Sequence, residues 1–306
     1  MDTSLRFPGE TKADVTVVLP DGVIYSFGRL PLSVSDISDV FPGTVDFPDG
    51  RSYPAAIKVC KDPGNRRFPD REQQVLREFY DLVERDPEYK FFTHTLPRPL
   101  GMFNVFTEDV ALPASALKMA RGYTSEDVRL FCRGAIPPVQ VAWMLTRLLT
   151  TLATAHQQGW IHGAVLPRSL MVDWDNSKGH RYAKVLGWGG ALKKGEVLTD
   201  MFPDSYQFYP PEVFQKGTAT AGTDLYMFGQ TANFLLGGDL NLRQVPESVP
   251  APLRGAIQSC LIPNPHRRPH NAADFLLKVL RPAFLQTWGT PKYVDFNLPS
   301  VTSANS

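Results

Sequence analysis

The sequence predicts an α+β protein in two parts, a small antiparallel β lobe followed by a larger helical lobe. From Val15 to about Val59, short apolar runs alternate with turn-forming Pro-Asp-Gly and Pro-Gly segments, a pattern typical of hairpins. After Gly122, apolar residues recur at helical spacing. With 306 residues, 43% of them hydrophobic, the chain can bury a sizeable core.

Three turn signals divide the predicted β lobe: residues 20–22, 42–43 and 48–50. A helix is predicted from Arg71 to Arg85, where apolar residues fall on one stripe. Two further strands are expected at Leu100 to Phe106 and at Ala114 to Ala120. The lobe therefore reads as three strands, one helix and two strands.

The helical lobe opens with a long predicted helix from Pro138 to His156. Its Pro-Pro start suits a first helical turn, and its apolar stripe comprises Val141, Leu145, Leu148, Leu149 and Leu152. Two short strands, at Leu170 to Val172 and Ala183 to Leu186, precede helices that reach about Leu280. Only about fifteen residues, 237–251, separate two of these helices, which leaves little room for another.

These patterns predict four segments along the chain. They are a tail at 1–14, the β lobe at 15–119, the helical lobe at 120–282 and a second tail at 283–306. The second tail ends in small polar residues, which we expect to be disordered.

Composition narrows the class of partner and the compartment. The formal charge is +1, from 32 basic and 31 acidic residues, so no field would draw the chain to nucleic acid or an anionic membrane. The three cysteines, Cys60, Cys132 and Cys260, lack zinc or disulfide spacing, which fits a reducing cytoplasm. Neither an export signal nor a membrane span is expected. Oligomeric state is left open.

Six segments occur in the order of the protein-kinase motifs. They are Ala55-Ala56-Ile57-Lys58, His162 to Met171, Gly187-Trp188-Gly189, Tyr209-Pro210-Pro211-Glu212, Thr223 to Gly229, and Asn264 to Pro269. On these motifs, the chain resembles the protein-kinase superfamily over roughly residues 20 to 280. The resemblance implies a bilobal kinase-like fold.

The resemblance also implies that the chemistry of the family is missing. Kinases use a catalytic-loop Asp as base, and a nearby Asn and the Asp of Asp-Phe-Gly as metal ligands. Ala164, Ser169 and Gly187 stand at those three positions. Magnesium prefers hard oxygen ligands, usually carboxylates. We therefore expect no catalytic residue, no metal site and a degenerate member of the family, a pseudokinase.

The segment Leu32 to Val40 matches the glycine-rich, phosphate-covering loop with serine at each glycine position. The added Cβ atoms, together with Asp36 and Asp39, would crowd and repel a phosphate. A plain polar β-turn is the alternative interpretation.

Residues that would contact a nucleotide survive better. By resemblance, Lys58 would pair with Glu78, twenty positions on in the predicted helix. The adenine would lie among Val40, Ala56, Met119, Ala120 and Met171. Taken singly, Lys58 and Glu78 could equally be an edge-strand lysine and a solvated helix residue. No cofactor is expected, and any ATP binding would be weak and independent of metal.

Other retained residues are architectural in the family. The resemblance implies an ion pair between Glu212 and Arg268, hydrogen bonds from backbone near His162 to Asp224, and a hydrophobic spine of Leu82, His162 and Trp188. His162 would be a core histidine without a proton-transfer role. For Asp224, a helix N-cap is the alternative. Gly163 replaces the arginine that would bind a phosphorylated activation segment.

The sequence thus favours a non-catalytic kinase-like module that binds or scaffolds an unknown protein partner in the cytoplasm. Two alternatives remain. One is an ATP-binding conformational switch without phosphotransfer, which needs different affinities in two conformations. The other is a residual or unusual ATP-dependent transferase.

Overall fold

The computed structural model describes residues 15–175, 180–289, 296 and 298. The chain divides into two compact units, one up to Arg121 and the other from Gly122 to Leu298. This division lies two residues beyond the predicted lobe boundary at 119/120. The predicted α+β class, with a sheet-rich first part and a helix-rich second part, is confirmed. The predicted tail at 1–14 lies outside the described residues.

The first unit is built on one antiparallel sheet of seven strands. The strands are β1 (Val15–Val18), β2 (Ile24–Phe27), β3 (Ser33–Val34), β4 (Ser38–Asp46), β5 (Ser52–Cys60), β6 (Pro99–Phe106) and β7 (Ala111–Lys118). Their order is β1-β2-β4-β5-β7-β6, and β3 pairs with β4. The helices of this unit are α1 (Arg67–Arg85) and α2 (Phe92–Thr95).

The predicted turn at Pro42-Gly43 is wrong, because both residues lie inside β4. Gly43 pairs with Phe27 on one side and with Ala55 on the other. A Cβ at residue 43 would collide with the Ser26 carbonyl oxygen and with Phe27. Glycine is therefore required here by the close approach of β2 rather than by a change of chain direction.

Alternation along β5 sorts its residues between two faces. Ala55, Ile57 and Val59 are buried in a core where Tyr25 and Phe103 stack with centroids 4.1 Å apart. Ala56 and Lys58 therefore share the opposite face, because successive strand side chains point to opposite sides.

The second unit contains most of the helices. They are α3 (Ser125–Phe131), α4 (Pro138–Gln157), α5 (Pro211–Phe214), α6 (Ala221–Leu235), α7 (Ala251–Cys260), α8 (Ala272–Phe275) and α9 (Arg281–Trp288). Its strands are β8 (Gly122–Thr124), β9 (Trp160–Ile161), β10 (Leu170–Asp175), β11 (His180–Val185) and β12 (Leu192–Lys193). They form two small sheets, β11-β10-β8 and β12-β9.

The helix α6 is the centre of this unit. Thr220 caps it in a reciprocal box with Thr223, and nearly all its residues are buried. A helix that is buried all round must lie inside a core rather than on a surface. Between α6 and α7, the described segment 237–250 contains turns and a bridge between Asp239 and Gln244, but no helix.

The helix α9 continues to Trp288, six residues beyond the predicted end of the helical lobe at 282, and the small polar residues at the end of the second tail lie outside the described residues. Leu280 and Phe284 are buried four residues apart, so one helical face remains apolar beyond Pro282. Pro282 stands in the first turn of α9, where the missing N–H costs little. Phe296 is also buried and meets Trp143 edge to face at 5.9 Å.

We find no helix within the described residues that is both long enough and apolar enough to cross a bilayer.

Candidate functional site

The carboxylate partner of Lys58 is Glu72. Lys58 Nζ donates hydrogen bonds to both carboxylate oxygens of Glu72, at 2.8 and 2.7 Å. The Glu72 side chain is only 2% exposed, whereas Lys58 is 25% exposed. The ammonium group is therefore the more open half of the pair.

The predicted pair of Lys58 with Glu78 is wrong in its helical register. Six residues turn a helix by about 240°, so Glu72 and Glu78 lie on different faces of α1. Glu78 accepts a hydrogen bond from Gln74 Nε2 at 3.1 Å instead. The sequence contained a usable signal, because Glu72 precedes Val75, Leu76 and Phe79 by three, four and seven residues. That spacing puts Glu72 on the apolar stripe, where a carboxylate needs a partner.

The same register moves the expected spine residue of α1. Leu82 lies one turn after Glu78 and is only partly buried. Leu76 lies one turn after Glu72 and is fully buried. Leu76, four residues beyond the paired carboxylate, is therefore the more deeply buried of the two leucines.

The segment Leu32 to Val40 forms a tight hairpin between β3 and β4. Ser33 pairs with Val40, and Val34 with Asp39. Ser35 closes the turn, since its Oγ donates to the Ser38 carbonyl oxygen at 2.8 Å and accepts from the Ser38 N–H at 3.2 Å. Serine side chains stabilise turns through such local bonds.

The adenine-contacting candidates are distributed over both units. In the first, Val40 pairs with Lys58 across β4 and β5, so their side chains lie on one face together with Ala56. Met119 donates its N–H to the Pro54 carbonyl oxygen at 2.8 Å, and Ala120 follows it. Met171 belongs to the second unit, where it pairs with Thr124.

In the second unit, Ala164, Ser169 and Gly187 come together, the three residues that the resemblance aligns with the base and the metal ligands. Ser169 Oγ donates to the Ala164 carbonyl oxygen at 2.8 Å. A Cβ built on Gly187 would lie 3.3 Å from Ser169 Oγ and 4.0 Å from His162 Cε1. Gly187 has a φ of +83°, a left-handed conformation that most other residues avoid. Ala164, Ser169 and Gly187 therefore lie close together, and none of the three carries a carboxylate.

Within the described residues, no three or more His, Cys, Asp or Glu side chains are grouped so that they could hold a metal ion.

His162 is fully buried and uses both ring nitrogens. Nδ1 lies 3.2 Å from the Ala164 N–H, and Nε2 lies 2.9 Å from the Leu186 carbonyl oxygen. Since the N–H can only donate and the carbonyl can only accept, the ring is neutral with its proton on Nε2. The His162 and Trp188 rings pack edge to face, with their centroids 4.5 Å apart. The ring therefore ties the loop at 162–169 to the segment that contains Gly187.

Asp224 holds the same loop from α6. Its carboxylate accepts from the backbone N–H groups of His162 at 2.8 Å and Gly163 at 2.9 Å, and bonds His156 Nε2 at 2.8 Å. Burial alone would raise the pKa of Asp224, but the hydrogen bond and electrostatic attraction of His156 and the hydrogen bond from the His162 backbone N–H outweigh it and lower the pKa. The N-cap of α6 is Thr220, so the N-cap interpretation of Asp224 is wrong.

Gly163 also has a left-handed backbone, with a φ of +70°. A Cβ there would come within 2.7 Å of Leu198 Cδ1 and 3.1 Å of the Gly190 carbonyl oxygen. This loop therefore packs closely against the chain at 190–198.

Glu212 and Arg268 form a bidentate ion pair, with hydrogen bonds of 2.8 and 2.9 Å. Arg268 is fully buried at its side chain and also donates to the carbonyl oxygens of Ile262, Pro263 and Gly222. All five guanidinium N–H donors are thereby satisfied. Such a pair fixes geometry and leaves no donor for a ligand.

The structure has the protein-kinase-like fold. It is similar to crystal structures of two variants of the kinase domain of PknI from Mycobacterium tuberculosis. One is matched with a TM-score of 0.60 and 17% identity over 87% of this chain and 97% of that chain. The other is matched with a TM-score of 0.60 and 16% identity over 90% of this chain and 99% of that chain.

The chain is also 30% identical over 164 residues to serine/threonine-protein kinase F of Synechocystis sp.. The match covers 48% of this chain and 32% of that protein, so the chain spans about a third of this relative's length. No protein-family model matches the chain.

Proposed function

We propose that this chain is a kinase-like protein that does not transfer phosphate and acts as a protein-binding or scaffolding module. The observation that carries the proposal is the meeting of Ala164, Ser169 and Gly187 at one point of the second unit. Phosphoryl transfer depends on a base that accepts the substrate proton and on metal ions that neutralise the phosphates. A neutral hydroxyl and a backbone glycine supply neither.

The buried hydrogen bonds that stabilise the fold also support this proposal. Asp224 and Arg268 keep the catalytic-loop segment and the α5 region in place through buried, fully satisfied hydrogen bonds. A module that only binds a partner needs a rigid surface, and these bonds supply rigidity without chemistry. The partner would be a protein of unknown identity.

The test is an assay for labelled product with ATP labelled at the γ-phosphate, run with magnesium and with manganese. The native chain should give no autophosphorylation and no label on a general protein substrate. The matched control is Lys58→Met, which removes the ammonium group that a kinase uses on the phosphates. Label on the native chain that disappears in Lys58→Met would overturn the proposal and favour the transferase alternative.

A second candidate is metal-independent ATP binding, which the intact Lys58–Glu72 pair favours. In kinases the corresponding Lys–Glu pair positions the nucleotide phosphates. Because a ligand that binds only the folded state raises the melting temperature by mass action, a thermal-shift titration with ATP tests it. Magnesium, manganese and EDTA are compared for the native chain, Lys58→Met and the exposed control Lys90→Met.

A shift that survives EDTA and disappears only in Lys58→Met would support metal-free binding. A shift that requires metal would favour the transferase. No shift in any condition would leave a scaffold that binds no nucleotide.

A further inference from the structure

A groove of about 430 Å³ lies on the second unit, between the chain at 206–215 and the hairpin at 239–244. Two aromatic side chains form its rim, since Tyr206 is 45% exposed and Phe214 is 50% exposed. Their rings pack edge to face with centroids 5.9 Å apart. The buried residues Tyr209 and Tyr226 line the groove more deeply. The groove is therefore open to solvent at an aromatic rim.

One buried amide joins the two walls of the groove. Gln230 of α6 is only 1% exposed. Its Nε2 donates to the Gln207 carbonyl oxygen at 2.7 Å and to the Leu240 carbonyl oxygen at 3.1 Å. Asn233, also on α6, donates from Nδ2 to the Asp239 carbonyl oxygen at 2.9 Å. Both walls are thus fixed to α6 in the unbound chain, and a preformed site loses little conformational entropy on binding.

The lining has the composition of a protein interface. It contains three tyrosines, one phenylalanine and one arginine, and it contains no Lys, Asp or Glu. Aromatic residues and arginine are enriched where proteins bind each other, whereas lysine and carboxylates are depleted there. Such residues around a concave pocket are typical of sites that receive an anchoring side chain from a partner. The groove therefore suits a segment of a protein.

The charge of the groove restricts that segment further. Arg243, the charged residue of the lining, is exposed. Lys216 is exposed as well and follows Gln215 of the opposite wall. The carboxylate of the hairpin, Asp239, accepts the Leu242 N–H at 2.8 Å and so closes the turn. Complementary charge on the partner is therefore negative.

We propose that this groove binds a linear segment of the partner protein in which an aromatic or leucine side chain stands beside Asp or Glu. The apolar side chain enters at the rim formed by Tyr206 and Phe214, and the carboxylate pairs with Arg243. This inference rests on the proposed protein-binding function and adds the surface and the chemistry of the partner.

The first test is selection of random dodecapeptides, displayed on phage, against the immobilised full chain. Peptides that bind the native chain but not the double variant Tyr206→Ala/Phe214→Ala are ligands of the groove. They should share an aromatic or leucine residue beside an acidic one. A shared basic residue, or no peptide that distinguishes the native chain from the double variant, would overturn the proposal.

The affinity of a selected peptide, labelled with fluorescein, is then measured by fluorescence polarisation. Phe214→Ala should weaken binding by about tenfold, as expected for an anchor contact. Arg243→Gln should weaken it by about threefold at low salt and by less at high salt, because salt screens an exposed ion pair.

The matched controls are Leu285→Ala and Arg281→Gln, which change exposed residues of α9 outside the groove. Both should leave the affinity unchanged. Controls that weaken the peptide as much as the groove variants would overturn the site.

A second copy of the chain is the competing occupant. Sedimentation velocity should give the same oligomeric state for the native chain and for Phe214→Ala. Self-association that Phe214→Ala abolishes would overturn the partner segment in favour of the second copy. Labelled product in the phosphotransfer assay would contradict the proposed function without changing the peptide affinities, so the two failures are distinguishable.

Discussion

Each unit contains an ion pair between a basic and an acidic side chain, Lys58–Glu72 in the first unit and Arg268–Glu212 in the second. The two pairs differ in how exposed the cation is and in how many of its hydrogen-bond donors are occupied. Arg268 is 0% exposed and Glu212 14% exposed, and every guanidinium donor is occupied. Lys58 is 25% exposed above a carboxylate that is only 2% exposed. The Arg268–Glu212 pair can only stabilise the fold, whereas the Lys58–Glu72 pair presents an oriented ammonium group. The comparison separates a purely structural pair from one that is available to a ligand.

The largest loss of stability is expected when the buried Arg268–Glu212 pair is broken. Arg268→Met leaves the Glu212 carboxylate and three backbone carbonyls without their donor. Loss of one partner of a buried pair costs about 3–5 kcal/mol of unfolding free energy. Urea denaturation measures it, with the exposed neighbour variant Arg267→Ala as control. Equal losses of stability in the two variants would contradict a structural role for the Glu212–Arg268 pair.

Asp224→Asn should be next, because an amide cannot accept all three bonds that the carboxylate accepts. One or more buried donors are orphaned, at a cost of about 2–3 kcal/mol. The pKa of Asp224 is lowered from 3.8 in the folded state, so its stabilisation is present above that pH. It is lost as the pH falls through the lower, folded pKa.

Denaturation of the native chain and of Asp224→Asn should be compared at neutral and at acidic pH. The difference in stability between them should shrink as the pH falls below 3.8. A difference that stays constant across this range would contradict an ionised Asp224.

A smaller loss of stability is expected when the Lys58–Glu72 pair is broken, because the partly exposed Lys58 can be solvated by water instead. Glu72→Gln should lower the unfolding free energy by about 1–2 kcal/mol. Glu78→Gln should change it by less than about 0.5 kcal/mol, as for most surface changes. Equal effects of the two variants would contradict the assignment of Glu72, rather than Glu78, as the partner of Lys58. Thermal or urea unfolding of the pair of variants distinguishes these outcomes.

The smallest effect compares two left-handed glycines. Gly163→Ala adds a contact with Leu198 and Gly190 to the backbone strain, whereas a Cβ at Gly159, with a φ of +77°, would meet nothing within 4 Å. Gly159→Ala should cost about 1 kcal/mol from strain alone. Gly163→Ala should cost measurably more in the same urea experiment. Equal costs would show that the loop yields easily to a side chain.

Motif order and strand alternation were sufficient to predict the architecture, because both are local patterns. The hydrogen bonds of Asp224 and the bidentate pair of Glu212 and Arg268 follow from motif positions that lie far apart in the chain. Glu72 was missed because counting positions from a motif gave less information than the apolar face of α1. The helical face, which combines Glu72 with Val75, Leu76 and Phe79, carried the answer.

Other misses have a different origin. Pro42 and Gly43 carry a turn signature that tertiary contact overrides, since β2 packs too closely for a side chain at residue 43. A cavity beside His156 is lined by residues of α4, β9, the start of α6, residue 194 and the segment 265–272, which lie far apart in the sequence. Such a cavity depends on long-range packing, which neither spacing nor periodicity encodes.

The bonds at Ala164 have a consequence for how this sequence can change over time. Its N–H reaches His162, and its carbonyl oxygen receives Ser169, so both ties use main-chain atoms that every residue except proline can provide. Selection for a folded protein therefore preserves no particular side chain through these two bonds. Only a demand for chemistry at that position could keep an acid there, and a lineage freed from that demand could lose the acid without loosening the loop.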